Sequence, residues 1–269
     1  MNNKALFDFG KEYLLRREEI SEDILEHYLT LWKICKPTTI NELCRKMIAH
    51  AQNRQGMPNS IGDIRNLKHI LFGFSPPLIK ENYNDWITLF QKINTELTPP
   101  GRMDINNRHN YWVIFCKSII SIADYLSKFD SFDNYSDYVN TFISDNPDIR
   151  LAFPLILKEE IFGYQFALAC DFTKENISPK FIKPDTHIKD IFIGVGLCNC
   201  GDNDYNIFRK VIKYCTDIGE EPYAVDRLFW LIGSGKLFET PLRQNEIRFK
   251  TDKFQFIEEF NRIVRITCS

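Results

Sequence analysis

One carboxylate in this chain has a sequence setting suited to chemistry. Asp185 stands in the run from Lys183 to His187, Lys-Pro-Asp-Thr-His, directly before a predicted helix. A carboxylate that is held in place and kept partly dry can stabilise a developing positive charge or activate a water molecule. Alternatively, Asp185 only accepts hydrogen bonds from the first N–H groups of that helix. The two roles can coexist, and the sequence leaves both open.

A glycine turn lies upstream of this carboxylate. The residues from Leu157 to Gly163 lead into Tyr164-Gln-Phe-Ala167, which predicts two helices joined by a tight turn at Gly163. Glycine suits such a turn because it adopts unusual backbone angles and lets the backbone approach a phosphate closely. The neighbouring Glu159 and Glu160 add negative charge, which opposes phosphate binding. An ordinary corner between two helices is therefore the alternative interpretation.

The elements that must position these residues are predicted to be helical. Apolar residues recur with a helical period, and no alternation of strands and helices appears. The clearest buried helix is predicted from Tyr111 to Phe129. Its apolar face is formed by Phe115, Ile119, Ile122 and Leu126. Further helices are predicted from about Ile61 to Phe72 and, as a short one, between Pro147 and Pro154. The predicted fold class is mainly α.

Composition narrows the class of protein. The chain has 269 residues, 44% of them hydrophobic, which is enough for a large buried core. A formal net charge of −2 gives no general attraction to nucleic acid, so any DNA site must be a local basic patch. No apolar run has the length of a membrane span. Most of the cysteines lie in apolar helical patterns, as reduced buried thiols do. We expect a soluble, cytoplasmic protein.

The hairpin and Asp185 together resemble the core of the helix-hairpin-helix base-excision DNA glycosylases. The run from Lys183 to Ile188 is similar to the family's sequence of proline or valine, aspartate, any residue and histidine. The segment from Glu221 to Gly235 looks like the family's closing helix, and Met47 to Leu71 resembles the helix, loop and helix of the 8-oxoguanine branch. These similarities cover roughly residues 40 to 240, in the family's order.

The resemblance implies an enzyme that flips a damaged base out of duplex DNA and cleaves its bond to the sugar. Asp185 is then the catalytic carboxylate, because the reaction builds positive charge on the sugar ring. Some relatives carry a Schiff-base lysine two residues after the second glycine of the hairpin. Gln165 stands there, and a glutamine cannot be that nucleophile, so a monofunctional mechanism is implied. Ile161 stands where the first glycine would be.

The resemblance also implies further site residues. The implied DNA-binding residues are Asn59, Lys158, Gly163, Gln165, Lys183 and His187. The implied linings of the base pocket are Phe162, Tyr164 and Trp230. Each group has an alternative: Asn59, with its neighbours Asn53, Arg54 and Gln55, lies in a polar surface loop, the aromatics belong to the core, and the lysines lie on a solvated face. His187 is expected to be structural or to contact a phosphate rather than to act as a base.

The expected architecture is a two-lobed helical unit with the DNA groove between the lobes. The lobes are predicted at residues 20–145 and 146–240, with 1–19 and 241–269 as terminal extensions. The expected partner is double-stranded DNA, bound by a monomer associated with the nucleoid. Cys198, Cys200 and Cys215 invite a metal site, but the chain lacks the family's iron–sulfur cysteine run and zinc-like spacing, so no metal or cofactor is expected. The alternatives are a non-catalytic protein that recognises DNA structure and an interaction protein without a DNA role.

Overall fold

Helices dominate the computed structural model, which describes residues 4–33, 36–53, 56–238 and 246–267. The mainly α class is thereby confirmed. The α-helices in chain order are α1 (Ala5–Leu15), α2 (Glu22–Leu29), α3 (Ile40–Ala51), α4 (Met57–Ile61), α5 (Pro76–Asn82), α6 (Trp86–Glu96), α7 (Tyr111–Leu126), α8 (Phe132–Asn140), α9 (Pro147–Glu160), α10 (Phe166–Asn176), α11 (Thr186–Gly194), α12 (Asp204–Ile218), α13 (Pro222–Ser234) and α14 (Lys253–Thr267). Two short strands, β1 (Lys236–Leu237) and β2 (Ile247–Arg248), pair antiparallel.

The chain divides into two compact units. The terminal unit comprises Met1–Cys35, Asp145–Leu151 and Ser178–Ser269, and the central unit comprises Lys36–Ser144 and Ala152–Ile177. These bounds differ from the predicted lobes, because α1 and α2 belong with the C-terminal helices and α9 begins in the terminal unit and ends in the central one.

The central unit has α7 in its core. The helix begins at Tyr111, where the side chain of Asn110 accepts a hydrogen bond from the Trp112 N–H at 2.9 Å. The four residues of its predicted apolar face, Phe115, Ile119, Ile122 and Leu126, are all fully buried. The predicted stripe is therefore confirmed, because one face of α7 packs against α3, α5 and α6.

Two helix predictions are wrong. The segment from Ile61 to Phe72 is not one helix, because Gly62 has a φ of +77° and a 3₁₀ turn over Ile64–Leu67 follows it. Phe72, Gly73 and Phe74 then all have positive φ, which no right-handed helix allows. Nor does α9 end at Pro154; it runs on to Glu160, and Pro154 only withholds one N–H from the helical ladder.

The terminal unit has an aromatic core between α11, α13 and α14. The ring of Phe229 lies 5.4 Å from that of Phe192 and 6.1 Å from that of Phe256, and all three side chains are fully buried. Burial of such rings is the main stabilising contribution to a helical core. This core fixes α11, the helix that begins directly after Asp185.

Candidate functional site

The central unit contains the predicted hairpin. Helix α9 ends at Glu160, five residues form the turn, and α10 begins at Phe166. Gly163 has a φ of +83°, in the left-handed region that favours glycine. The N–H of Tyr164 closes the turn by donating to the carbonyl of Ile161 at 3.1 Å. The glycine is thus at the position where the backbone requires it.

Two serines of α7 hold the tip of this hairpin. The N–H of Phe162 donates to Oγ of Ser121 at 2.9 Å, and its carbonyl accepts from Oγ of Ser118 at 2.8 Å. The Phe162 N–H therefore already has an acceptor within the protein and is not available to a ligand. The N–H groups of Gly163 and Gln165 donate to no acceptor among the described residues, so they are the turn amides that remain for an anion.

Charge and shape around the turn bear on the predicted phosphate contact. Glu159 pairs with Lys158 at 2.8 Å and Glu160 pairs with Lys128 at 2.6 Å, so each glutamate has a lysine beside it. The side chain of Ile161 is only 1% exposed. Because that side chain packs inward, the isoleucine does not cover the outer surface of the turn as an exposed residue would.

The three predicted linings of the base pocket have different settings. Tyr164 is buried in the central unit, where its hydroxyl donates to the Met47 carbonyl at 2.8 Å and desolvation raises its pKa well above the ordinary value. Phe162 is 47% exposed in the same unit. Trp230 belongs to the terminal unit, is half-buried, and stacks on Phe238 with ring centroids 5.0 Å apart. Tyr164 supports the turn from within the core.

Asp185 begins helix α11 in the terminal unit. Its Oδ1 accepts hydrogen bonds from the N–H groups of His187 at 2.9 Å and Ile188 at 3.1 Å. Its Oδ2 accepts no hydrogen bond from a described residue, and the side chain is half-buried. The capping role is present, and the second oxygen is left for another partner.

A buried carboxylate on α13 holds the backbone that leads to Asp185. Asp226, 1% exposed, accepts a hydrogen bond from the Lys183 N–H, and the Asp185 N–H donates to the Lys183 carbonyl at 2.7 Å. The N–H of Tyr223 donates to the Pro179 carbonyl at 2.9 Å. Sequence reasoning missed Asp226, because an aspartate inside an apolar helical stripe gives no signal of a partner far along the chain.

His187 lies against α13. A methyl group added at Gly233 would come within 2.3 Å of the His187 Nδ1, so the ring occupies the space that this glycine leaves. Desolvation is the main cause that lowers the pKa of His187, and the nearby Asp185 acts in the opposite direction. The buried Nδ1 has no hydrogen-bond partner among the described residues. These contacts make His187 a packed, predominantly neutral residue at pH 7.

The remaining predicted residues are placed as follows. Asn59 is exposed on the short helix α4 of the central unit. Arg54 and Gln55, its predicted neighbours, lie outside the described residues. In the terminal unit, the predicted Lys183 is half-buried, and two lysines near it in the sequence, Lys180 and Lys189, pair with Glu221 and Asp204 at 2.8 and 2.6 Å.

The cysteines offer no metal centre in the part of the chain that the structure describes. No group of three or more histidine, cysteine, aspartate or glutamate side chains is placed there to hold an ion. Burial raises the pKa of Cys198 to about 11, which disfavours the thiolate that metals bind. Among the same residues, no helix combines the length and apolar character needed to cross a bilayer.

Comparison with known proteins adds no relative. No protein-family model matches the chain, and neither a curated protein nor a solved structure matches it. A function for this chain must therefore be inferred from the geometry within each of its two units.

Proposed function

We propose that this protein is a monofunctional DNA N-glycosylase that hydrolyses the bond between a flipped, damaged base and its deoxyribose. The observation that carries the proposal is the environment of Asp185. One oxygen is fixed by two backbone N–H groups, and the other accepts no hydrogen bond from a described residue. A carboxylate held in this way can offer its second oxygen to a substrate.

Hydrolysis of a glycosidic bond is assisted by a carboxylate of this kind. Cleavage of the glycosidic bond leaves positive charge on the sugar ring, and Oδ2 of Asp185 would stabilise that charge. Water then adds its oxygen to the sugar carbon, and its proton balances the negative charge on the departing base. His187 acts in this scheme by packing against Gly233 and keeping the start of α11 in place. Gln165 provides no amine, so the enzyme forms no Schiff base with the sugar.

In this proposal the hairpin of the central unit binds the DNA backbone. The N–H groups of Gly163 and Gln165 donate to no acceptor among the described residues, and Gly163 has the left-handed backbone conformation of a tight turn. Such amides bind a phosphate oxygen without reading sequence. The affinity of the complex should then fall as salt is added.

A second candidate is a protein that binds DNA structure without cleaving it. The two glutamates beside the turn favour this alternative, because they weaken the grip on a phosphate even when paired with lysines. In that case Asp185 only caps α11. Both candidates share the hairpin contact and differ in whether Oδ2 of Asp185 meets a sugar.

A base-release assay tests the proposal. Duplexes carrying oxidised, alkylated, deaminated or mismatched bases are incubated with the wild type and with Asp185→Asn, and hot alkali then cleaves abasic sites. Asparagine retains an oxygen for the cap but loses the charge, so release from at least one duplex should vanish in the variant while the fold persists. Salt-sensitive binding without release by the wild type would favour the second candidate. Neither binding nor release would contradict both.

A further inference from the structure

Phe162 is an exposed aromatic side chain on a rigid piece of backbone. Its side chain is at the tip of the hairpin and 47% exposed. Both of its backbone polar groups are bonded to serines of α7, the N–H to Ser121 and the carbonyl to Ser118. A large apolar side chain that is held out to solvent in a fixed position is prepared for a contact, because little conformational entropy remains to be lost on binding.

A lysine and a second aromatic lie beside it in the same unit. The Nζ of Lys117, on α7, is 5.3 Å from the centroid of the Phe162 ring and 4.8 Å from that of Trp86, the first residue of α6. No described carboxylate pairs with Lys117. We call Trp86, Lys117 and Phe162 the aromatic row. It presents two rings with one uncompensated positive charge between them.

We propose that the aromatic row binds an unpaired nucleobase of a DNA strand, which stacks on Phe162 while Lys117 contacts the adjoining phosphate. This inference depends on the DNA-binding part of the proposed function: it keeps Phe162 as a base contact, as the resemblance implies, and adds Lys117 as a phosphate contact that the resemblance does not imply. Stacking on aromatic side chains accepts any base, since every base has a π-face. A lysine with no acidic partner supplies charge complementary to the phosphate.

The charges around the row favour an anionic ligand such as a nucleic acid over a basic protein partner. The nearest acidic residues of the hairpin, Glu159 and Glu160, are each paired with a lysine. Asp85, directly before Trp86, accepts hydrogen bonds from the N–H and hydroxyl of Thr88 at 2.8 and 3.0 Å. The Nζ of Lys117 is the positive group that lies over both rings of the row. A kinked or gapped duplex supplies such a ligand, because it holds an unstacked base next to a phosphate.

A fluorescent base distinguishes stacking from simple attraction. The probe is a duplex with one unpaired 2-aminopurine, and the reference is the same duplex fully paired. Wild type should quench the unpaired probe and bind it more tightly than the paired duplex. Phe162→Ala should bind the unpaired probe about tenfold more weakly and lose the quenching. Lys117→Gln should retain quenching and reduce the dependence of affinity on salt.

A control variant and the choice of probe keep the outcomes separate. Phe254→Ala removes another exposed phenyl ring, 65% exposed in the terminal unit, and should leave binding and quenching unchanged. The 2-aminopurine probe reports binding and stacking by the wild type without any bond cleavage, so a failed base-release assay leaves this result standing. Unchanged quenching in Phe162→Ala, an equal loss in Phe254→Ala, or no binding of either duplex by the wild type would overturn the inference.

Discussion

The backbone N–H of Lys183 donates a hydrogen bond to the buried carboxylate of Asp226, two residues before Asp185 and across 43 residues of sequence. This bond ties the segment that precedes α11 to helix α13. Because the Asp185 N–H in turn donates to the Lys183 carbonyl, the position of the candidate catalytic carboxylate depends on a residue that is inaccessible to any substrate. Asp226 is therefore a positioning residue in the proposed enzyme.

Asp226→Ala should destabilise the protein by about 1–3 kcal/mol, since a buried N–H then lacks its acceptor. Asp226→Asn retains an amide oxygen at the same place and should cost less. Urea denaturation measures both, and amide hydrogen exchange should accelerate around residues 183–188 in the alanine variant. Equal stability of wild type and Asp226→Ala would show that the bond does not hold this segment.

We predict that position 233 must be glycine, because the imidazole ring of His187 occupies the space where a larger side chain would lie. In Gly233→Ala the new methyl would lie 2.3 Å from Nδ1, so the ring or the start of α11 must move. We expect the free energy of unfolding to fall by about 1–3 kcal/mol, as is typical of overpacking. Gly201→Ala is the matched control, because no atom lies within 4 Å of its added methyl. A similar loss for both variants would rule out the contact as the cause.

Stability should depend on pH through His187. Desolvation lowers the pKa of this residue below its usual value of about 6.5, against the opposing effect of Asp185 and Asp190 and together with Lys253 and Lys183. The unfolded chain therefore binds the proton more readily than the folded one. The resulting stabilisation is complete above about pH 6.5 and is lost as the pH falls through the folded pKa.

The variant His187→Gln isolates this effect. Glutamine has no proton to bind in this range, so the difference in unfolding free energy between wild type and variant should shrink as the pH falls from 7 to 5. Urea titrations at several pH values measure the difference, and the carboxylates, common to both proteins, largely cancel. A difference that stays constant over this range would contradict the prediction.

The helical class, the turn of the central unit and the capping aspartate of the terminal unit follow from local patterns. The stripe of α7, the glycine turn at Gly163 and the capping position of Asp185 each depend on residues within a few positions of one another. Local patterns could not reveal the hydrogen bond from Lys183 to Asp226. Nor could they reveal the hydrogen bonds that Ser118 and Ser121 form with the hairpin. Those contacts join distant segments, and the sequence around a buried polar residue in an apolar stripe does not identify the residue that it contacts.

The helix predicted from Ile61 to Phe72 is wrong because apolar spacing alone does not determine the backbone there. Its apolar spacing suits a helix, but Gly62 and the left-handed run of Phe72 to Phe74 interrupt it. Bulky residues with positive φ cost about 1–3 kcal/mol each, and only tertiary packing stabilises them. Phe74 is indeed 3% exposed, and the Phe72 ring lies 5.9 Å from that of Tyr83. Packing of these rings accompanies a backbone that their spacing alone would not predict.

Substitutions at Gly163 test whether the hairpin turn requires a residue that tolerates a left-handed backbone conformation. Its φ of +83° disfavours residues with a side chain, least for asparagine and most for β-branched residues. Gly163→Val should therefore destabilise the protein by about 1–2 kcal/mol more than Gly163→Asn, as thermal unfolding would measure. If the turn amides bind a phosphate, Gly163→Val should also weaken DNA binding beyond any loss of folded protein, while Gly163→Asn stays near the wild type. Equal stability of the two variants would mean that the turn does not need a left-handed residue.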